Sequence, residues 1–211
     1  MCFGIQGAMR LLLDTDAFCK LGAAGLLQSV SRVLSVEWSD CLRLPALTQM
    51  LQRGRLFKNL GVAICADLLP LAHTLGTVPP APAVWLNQLT GLPDVDPGEA
   101  HLFAHVAACE DILITADKRA LRAVKNIPGV VSALAGKIVL PEAALLALCA
   151  QRGDDHVRTA MAPVLALDTM FRTCFSPGNL APRDGLSSYL HSAVLELSPL
   201  VLWSPKPKGT P

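Results

Sequence analysis

Two carboxylates in this chain follow short apolar runs that are typical of buried strands. Asp14 comes directly after Leu11–Leu13, and Asp117 comes two residues after the run Ile112–Thr115. Because the parallel strands of an open α/β sheet bind ligands beyond their carboxyl ends, both side chains are expected where a ligand would bind. Aspartate is also a favoured helix N-cap, so each residue by itself has a purely structural alternative.

Glu99 is a third carboxylate in an unusual position. On an α-helix it lies on the same face as Leu102, Phe103 and Val106, and this apolar face is the one that the helix buries. A carboxylate there costs free energy unless it is capped, paired or bound to a cation. The structural alternative is a capping box, in which Asp96 is the N-cap and Glu99 the third helical residue.

Taken together, Asp14, Glu99 and Asp117 predict a site for a divalent cation. Carboxylate oxygens suit Mg²⁺ or Mn²⁺, which are hard cations that retain part of their water shell. Such an ion can activate a water molecule and offset the charge that develops on a phosphodiester in its transition state. The three residues therefore point towards phosphodiester hydrolysis.

Strands that alternate with helices are expected to position these carboxylates. Apolar runs predict strands at 10–14, 41–44, 112–115 and 138–140. Apolar periodicity and start signals predict helices at 17–34, 45–52, 55–75, 96–110, 117–125 and 141–150. A proline-rich connection is expected at 78–82. This order is typical of an α/β fold with a mostly parallel sheet that is buried on both faces.

The pattern changes after residue 150. A helical stretch is predicted at 154–175, with an interruption near Pro163, and an apolar segment follows at 186–203. We expect residues 1–150 to form the α/β domain and residues 151–203 to form a helical C-terminal extension packed on or beside it. Residues 204–211 are predicted to be a flexible tail.

The composition excludes several classes of protein. Of the 211 residues, 52% are hydrophobic and 17% are charged, which is incompatible with a disordered chain. The mean hydropathy is +0.43, but no run reaches the roughly 18 apolar residues of a membrane span, and the apolar run after Arg10 is too short for a secretory signal. Because the formal net charge is only +1, binding to nucleic acid would depend on a local basic patch.

The seven cysteines include no closely spaced pair, which indicates reduced thiols and a cytoplasmic protein. His101, His105 and Cys109 recur every four residues, a spacing that permits metal ligation. The two histidines face away from Glu99, however, so they are not expected to join the carboxylate site. We interpret the cysteines mainly as core residues.

Three motifs in this sequence resemble those of the PIN-domain family. They are Leu-Leu-Leu-Asp14-Thr-Asp16, Pro-Gly-Glu99-Ala and Ile-Leu-Ile-Thr115-Ala-Asp117-Lys-Arg, and the resemblance covers residues 9–145. It implies a compact three-layer α/β/α sandwich and a metal-dependent ribonuclease in which Asp14, Glu99 and Asp117 bind the metal and act in catalysis. Many members of the family are toxins of toxin–antitoxin pairs, and others process RNA.

The sequence departs from the family pattern at two positions. Gln49 and Ala120 stand where further acids are often found. Asp16 is a candidate fourth metal ligand that would partly compensate for their loss. The alternative is a degenerate PIN-like scaffold that binds a protein or RNA without cutting it.

A small basic cluster beside Asp117 is the candidate substrate-binding surface. Lys118, Arg119 and Arg122 would hold phosphates of an RNA strand, more readily a single strand, and Gln49 would add a polar contact. A solvated helix face is the alternative interpretation of the basic cluster. The resemblance further implies an antitoxin or another protein partner. Self-association is left open, and the lengths of the apolar runs predict no membrane association.

Overall fold

The computed structural model describes residues 8–179 and 181–204. In this part of the chain the strands are β1 (Leu11–Leu13), β2 (Cys41–Arg43), β3 (Gly76–Thr77), β4 (Ile112–Ile114) and β5 (Ile138–Val139). They form one sheet in the order β3-β2-β1-β4-β5, in which every pairing is parallel. The predicted α/β class and parallel sheet are thus confirmed.

The direction in which strands are added reverses between β1 and β4. The chain places β2 and β3 on one side of β1 and later adds β4 and β5 on the other side. At such a switch point the connections diverge and leave a crevice at the carboxyl ends of the strands. Leu13 of β1 pairs in register with Ile114 of β4, so Asp14 and Thr115, which follow them, lie side by side at this crevice.

Two separate hydrophobic cores cover the two faces of the sheet. Leu11 and Leu13 belong to one core, whereas Leu12 belongs to the other. Leu113 likewise lies in the core opposite to that of Ile114, because successive residues of a strand point to opposite faces. This arrangement is compatible with a three-layer α/β/α sandwich.

The helices surround this sheet. They are α1 (Thr15–Ala23), α2 (Leu27–Val33), α3 (Leu47–Gln52), α4 (Arg55–Leu60), α5 (Val62–His73), α6 (Ala83–Leu89), α7 (Pro97–Ala108), α8 (Lys118–Val124), α9 (Pro128–Leu134), α10 (Pro141–Arg152), α11 (Asp154–Met161), α12 (Thr169–Phe175) and α13 (Pro182–Leu197). Short 3-10 segments lie at Trp38–Asp40 and Ala162–Leu167. Within the described residues, none of the helices has both the length and the apolar character needed to span a membrane.

Two of the helices predicted from periodicity are wrong as single elements. The stretch 17–34 is divided into α1 and α2 at Gly25, and the stretch 55–75 is divided into α4 and α5 at Gly61. Both glycines have left-handed backbone angles, with φ of +67° and +83°, which glycine adopts without a steric penalty. The apolar pattern continues through both breaks because the helices on either side pack on the same core.

Strand β3 was not predicted from the sequence. It has two residues, both exposed, and pairs with β2 through Leu42–Gly76 and Arg43–Thr77. An exposed edge strand of this length carries no apolar run, so hydrophobic patterning gives no signal for it. The connection expected at 78–82 does lie between β3 and α6 without regular structure.

Residues after 151 contribute to both cores. Phe171 and Phe175 of α12 lie in the core that contains Leu11, whereas Ala193 and Leu197 of α13 lie in the core that contains Leu12. The interruption predicted near Pro163 is confirmed as the 3-10 segment between α11 and α12. Apart from Ser204, the predicted tail lies outside the described residues.

Candidate functional site

Asp14 is buried at the end of β1 and caps α1. Its carboxylate accepts hydrogen bonds from the backbone N–H of Thr15 at 2.7 Å and from the Thr115 hydroxyl at 3.3 Å. Only 8% of the residue is exposed. Burial is the main reason that the pKa of Asp14 rises to about 6; the charge of Asp16 raises this pKa further, and the two hydrogen bonds oppose the rise.

Asp117 follows β4 and caps α8. Its carboxylate accepts hydrogen bonds from the backbone N–H groups of Arg119 at 2.8 Å and Ala120 at 3.0 Å. The N–H of Asp117 donates to the Thr115 hydroxyl at 3.2 Å, so Thr115 links the ends of the two central strands. Burial opposes ionisation of Asp117, but these backbone donors, together with the neighbouring Glu99 and the charge of Arg119, hold the pKa of the carboxyl below its usual value.

Glu99 has the capping role foreseen as an alternative, and it also faces Asp117. Its carboxylate accepts the backbone N–H of Asp96 at 2.8 Å, while Asp96 accepts the N–H of Glu99 at 2.8 Å. Burial raises the pKa of Glu99 to about 8; the Asp96 hydrogen bond lowers it, whereas the charge of Asp117 and a side-chain hydrogen bond to it raise it further. The negative charge of Asp117 thus disfavours ionisation of the neighbouring Glu99 carboxyl group.

One cavity of about 940 Å³ brings the predicted acids together. Asp14, Asp16, Glu99 and Asp117 all line it, and Asp96 adds another carboxylate. The cavity lies at the switch point of the sheet, which is where a parallel α/β sheet offers space to a ligand. Two of the predicted basic residues, Lys118 and Arg119, also line it.

The acids share this cavity without forming a tight ligand cage. Among the described residues, three ligand-type side chains bring their ligand atoms within 4.8 Å of one another only at His105, Cys109 and Asp111. At least one pair among Asp14, Glu99 and Asp117 is therefore more widely spaced. Contact of all three with one ion would need side-chain rotation or bridging waters, and Mg²⁺ usually retains waters.

Among the described residues, some acids of the cavity form ion pairs with basic side chains, and others do not. Lys20 bridges Asp16 and Asp168, at 2.6 Å from each. Lys118 pairs with the buried Glu142 at 2.7 Å.

Arg119 pairs loosely with Asp117 at 3.4 Å. In the described part of the chain, by contrast, no basic side chain pairs with Asp14 or Glu99. These two carboxyl groups therefore fit a hard divalent cation, which would compensate their negative charge once they ionise.

Two predicted substrate-binding residues lie away from the cavity lining. Gln49 lies on α3, and its side chain pairs with the guanidinium of Arg53. Arg122 pairs with Glu196 of α13 at 3.2 Å and lines a separate groove. Arg119 lines both the cavity and this groove, so it is the residue that joins them.

Sequence reasoning missed several residues that complete the cavity wall. Glu142 follows β5 after two residues, as Asp117 follows β4, so the rule of an acid after an apolar run could have identified it. Asp168 and Tyr189 come from the helical region after 151, where no apolar strand precedes them. Their contribution depends on how α12 and α13 pack against the sheet, for which the local sequence carries no signal.

A second group of ligand-type side chains lies outside this cavity. His105 and Asp111 are buried and Cys109 is half-buried. One ligand atom from each of these three residues lies within 4.8 Å of the other two. The sequence pattern included His101 instead of Asp111, but His101 binds the carbonyl oxygen of Pro79 at 2.8 Å.

Comparisons with known proteins do not assign this arrangement of residues to a family. No protein-family model, no curated protein and no solved structure matches the chain.

Proposed function

We propose that this chain is a PIN-like, divalent-metal-dependent ribonuclease. The observation that carries the proposal is the pair Asp14 and Glu99, two carboxyl groups of raised pKa in one cavity at the strand switch point. Neither has a basic partner among the described residues. With Asp117 and Asp16 they offer only oxygen ligands, which suits Mg²⁺ or Mn²⁺.

The three carboxyl groups would differ in their roles. Asp14 is oriented by Thr15 and Thr115 and would be the most rigid ligand. Asp117 has a lowered pKa and would be the ligand that is already ionised. Glu99 would give up its proton on ligation. A bound cation would supply Lewis-acid activation of water and neutralise charge on the scissile phosphate.

Arg119 is the best placed group for the phosphates of the substrate. Its side chain is 71% exposed, and its ion pair with Asp117 is long, so little free energy holds it in place. Because it lines both the cavity and the neighbouring groove, it would orient an RNA strand that passes from one to the other. Tyr189, whose ring lies 6.0 Å from the ammonium of Lys118, offers a surface on which a base of single-stranded RNA could stack.

Cleavage of labelled single-stranded RNA tests this proposal. We expect wild-type protein to cut RNA with Mn²⁺ or Mg²⁺ and to stop on addition of chelator. Asp14→Asn should reduce the rate by about 100-fold or more, because removing a metal ligand removes transition-state stabilisation. Asp67→Asn, an exposed acid on α5, is the matched control and should retain activity. Wild-type activity in Asp14→Asn would overturn the catalytic assignment.

The second candidate is a PIN-like scaffold that binds a protein or RNA without cutting it. Two observations favour this candidate. The three acids do not form a tight ligand cage, and Gln49 and Ala120 stand where the family often has further acids. Calorimetry with Mn²⁺ separates the two candidates. A chain that binds no Mn²⁺ at millimolar concentration, yet still binds RNA or a protein partner, would be the scaffold.

A further inference from the structure

The second cluster of ligand-type side chains lies at the edge of the sheet opposite to the acid cavity. His105 lies in the last turn of α7, Cys109 ends this helix, and Asp111 immediately precedes β4. An imidazole nitrogen, the thiol sulfur and a carboxylate oxygen lie within 4.8 Å of one another. Because β4 runs from this edge towards Asp117, the two sites are separated by the length of the strand.

We propose that His105, Cys109 and Asp111 form a second metal site, for a zinc-like divalent transition metal. Imidazole and thiolate ligands select Zn²⁺ or Co²⁺, whereas Mg²⁺ and Mn²⁺ prefer a shell of oxygens. Three protein ligands leave a fourth tetrahedral position for water. The short segment between His105 and Asp111 supplies all three, so little chain entropy opposes their assembly.

Arg10 is the cation that a metal would have to displace. Its guanidinium donates to Oδ2 of Asp111 from Nε at 3.0 Å and from a terminal nitrogen at 2.7 Å. The same terminal nitrogen lies 3.1 Å from Nε2 of His105. The positive guanidinium of Arg10 thus already lies against two of the three proposed ligands, where a metal ion would bind.

The exchange of Arg10 for a metal is feasible on the geometry. The Arg10 side chain is 34% exposed, so its guanidinium can move into water without disturbing the core. Asp111 would keep a positive partner, which avoids the cost of a buried unpaired carboxylate. The thiol proton of Cys109 would pass to solvent as its sulfur binds the metal.

A metal here would fix local structure. It would join the end of α7 to the start of β4, a connection now made by the hydrogen bond between His105 and Asp111 at 3.0 Å. The neighbouring Lys137 also binds this corner, because its ammonium donates to the carbonyl oxygen of Cys109 at 2.6 Å. We therefore expect Zn²⁺ to raise the melting temperature of the protein.

Titration of the purified full chain with Co²⁺ tests the site. We expect about one equivalent to give a thiolate-to-cobalt charge-transfer band in the near ultraviolet, which Zn²⁺ then abolishes by displacement. Cys109→Ser should remove the band, and His105→Gln should weaken Co²⁺ binding by about tenfold or more. His101→Gln, on the same helix, is the matched control and should retain it. Asp14→Asn should also retain the band, because the acid cavity contains no thiolate.

A second variant keeps the proposal falsifiable where a ligand variant fails to fold. Arg10→Gln removes the competing cation but keeps a hydrogen-bond donor beside Asp111, so it should tighten Co²⁺ binding by about tenfold. The band persisting in Cys109→Ser, or its absence from both the wild type and Arg10→Gln, would overturn the site. Equal weakening in His101→Gln and His105→Gln would also overturn it.

Discussion

The hydroxyl of Thr115 lies 3.3 Å from Oδ2 of Asp14 and donates a hydrogen bond to it. This contact joins the ends of β1 and β4 at the point where the strand order reverses. The same hydroxyl accepts the N–H of Asp117, so one buried side chain sets the positions of two of the three proposed metal ligands. Thr115 is 1% exposed and has no access to solvent of its own.

Removal of this hydroxyl should both destabilise the fold and weaken the site. Thr115→Val keeps the shape of the side chain but removes the donor to Oδ2 of Asp14 and the acceptor of the Asp117 N–H. We expect a loss of about 2 kcal/mol in the free energy of unfolding and weaker Mn²⁺ binding, measured by denaturation and calorimetry. Thr115→Ser retains the hydroxyl and should behave much more like the wild type. Equal stability of the valine and wild-type proteins would contradict the bridging role.

Asp14 should make the metal-free protein less stable as the pH rises. Its pKa rises from 3.8 to about 6 on folding, so the folded state holds its proton more tightly. The favourable contribution is complete below pH 4 and is lost between pH 4 and 6. Asp14→Asn, which stays uncharged, should therefore be the more stable protein above pH 6 in the presence of chelator.

The expected difference is about 3 kcal/mol, or roughly 9 °C in melting temperature for a chain of this size. Melting temperatures of wild type and Asp14→Asn between pH 4 and 8 measure it. The difference should grow up to about pH 6 and then remain constant, while Asp67→Asn should show no such trend. A constant difference across the whole range would mean that Asp14 is not a buried acid of raised pKa.

Metal binding at the acid cavity should strengthen with pH. The pKa of Glu99 is raised to about 8 and that of Asp14 to about 6, so a cation must displace protons from both groups at low pH. We expect Mn²⁺ to bind at least about tenfold more tightly at pH 8 than at pH 6, as measured by calorimetry with proton release. Binding that does not change with pH would show that neither carboxyl group is a ligand.

Lys118 should contribute more to stability than to binding of phosphate. Its partner Glu142 has a side chain only 4% exposed, so Lys118→Met would leave a buried charge unpaired at a cost of about 3 kcal/mol. The double variant Lys118→Met with Glu142→Gln should recover most of this loss in urea denaturation. A double variant as unstable as Lys118→Met would contradict the pairing.

RNA binding should fall further on Arg119→Gln than in the double variant.

The core of the fold could be predicted because its signals are local. Leu11–Leu13 and Ile112–Ile114 are fully apolar, and a capping acid follows the first directly and the second after two residues, so strand, strand end and carboxylate were all visible in sequence. The breaks at Gly25 and Gly61 were missed because apolar periodicity continues across them. A glycine reveals a break only when its left-handed backbone is known.

The residues that α12 and α13 contribute to the cavity were harder to predict from sequence than the carboxylates that follow the strands. Asp168 and Tyr189 reach the cavity through the packing of α12 and α13, which short sequence windows do not encode. Arg122 is an exposed cation whose partner, Glu196, is 74 positions away in the chain, so local sequence gave no signal for this ion pair. The capping box of Glu99 was foreseen correctly as a structural alternative.

The central claim is that Asp14, Glu99 and Asp117 hold a divalent cation. Anomalous diffraction from a crystal soaked in Mn²⁺ at pH 8 measures this directly. The account predicts an anomalous peak in the cavity at about 2.2 Å from oxygens of Asp14 and Asp117, with Glu99 bound directly or through water. A soaked crystal with no peak in this cavity, at a concentration that occupies other sites, would contradict the account.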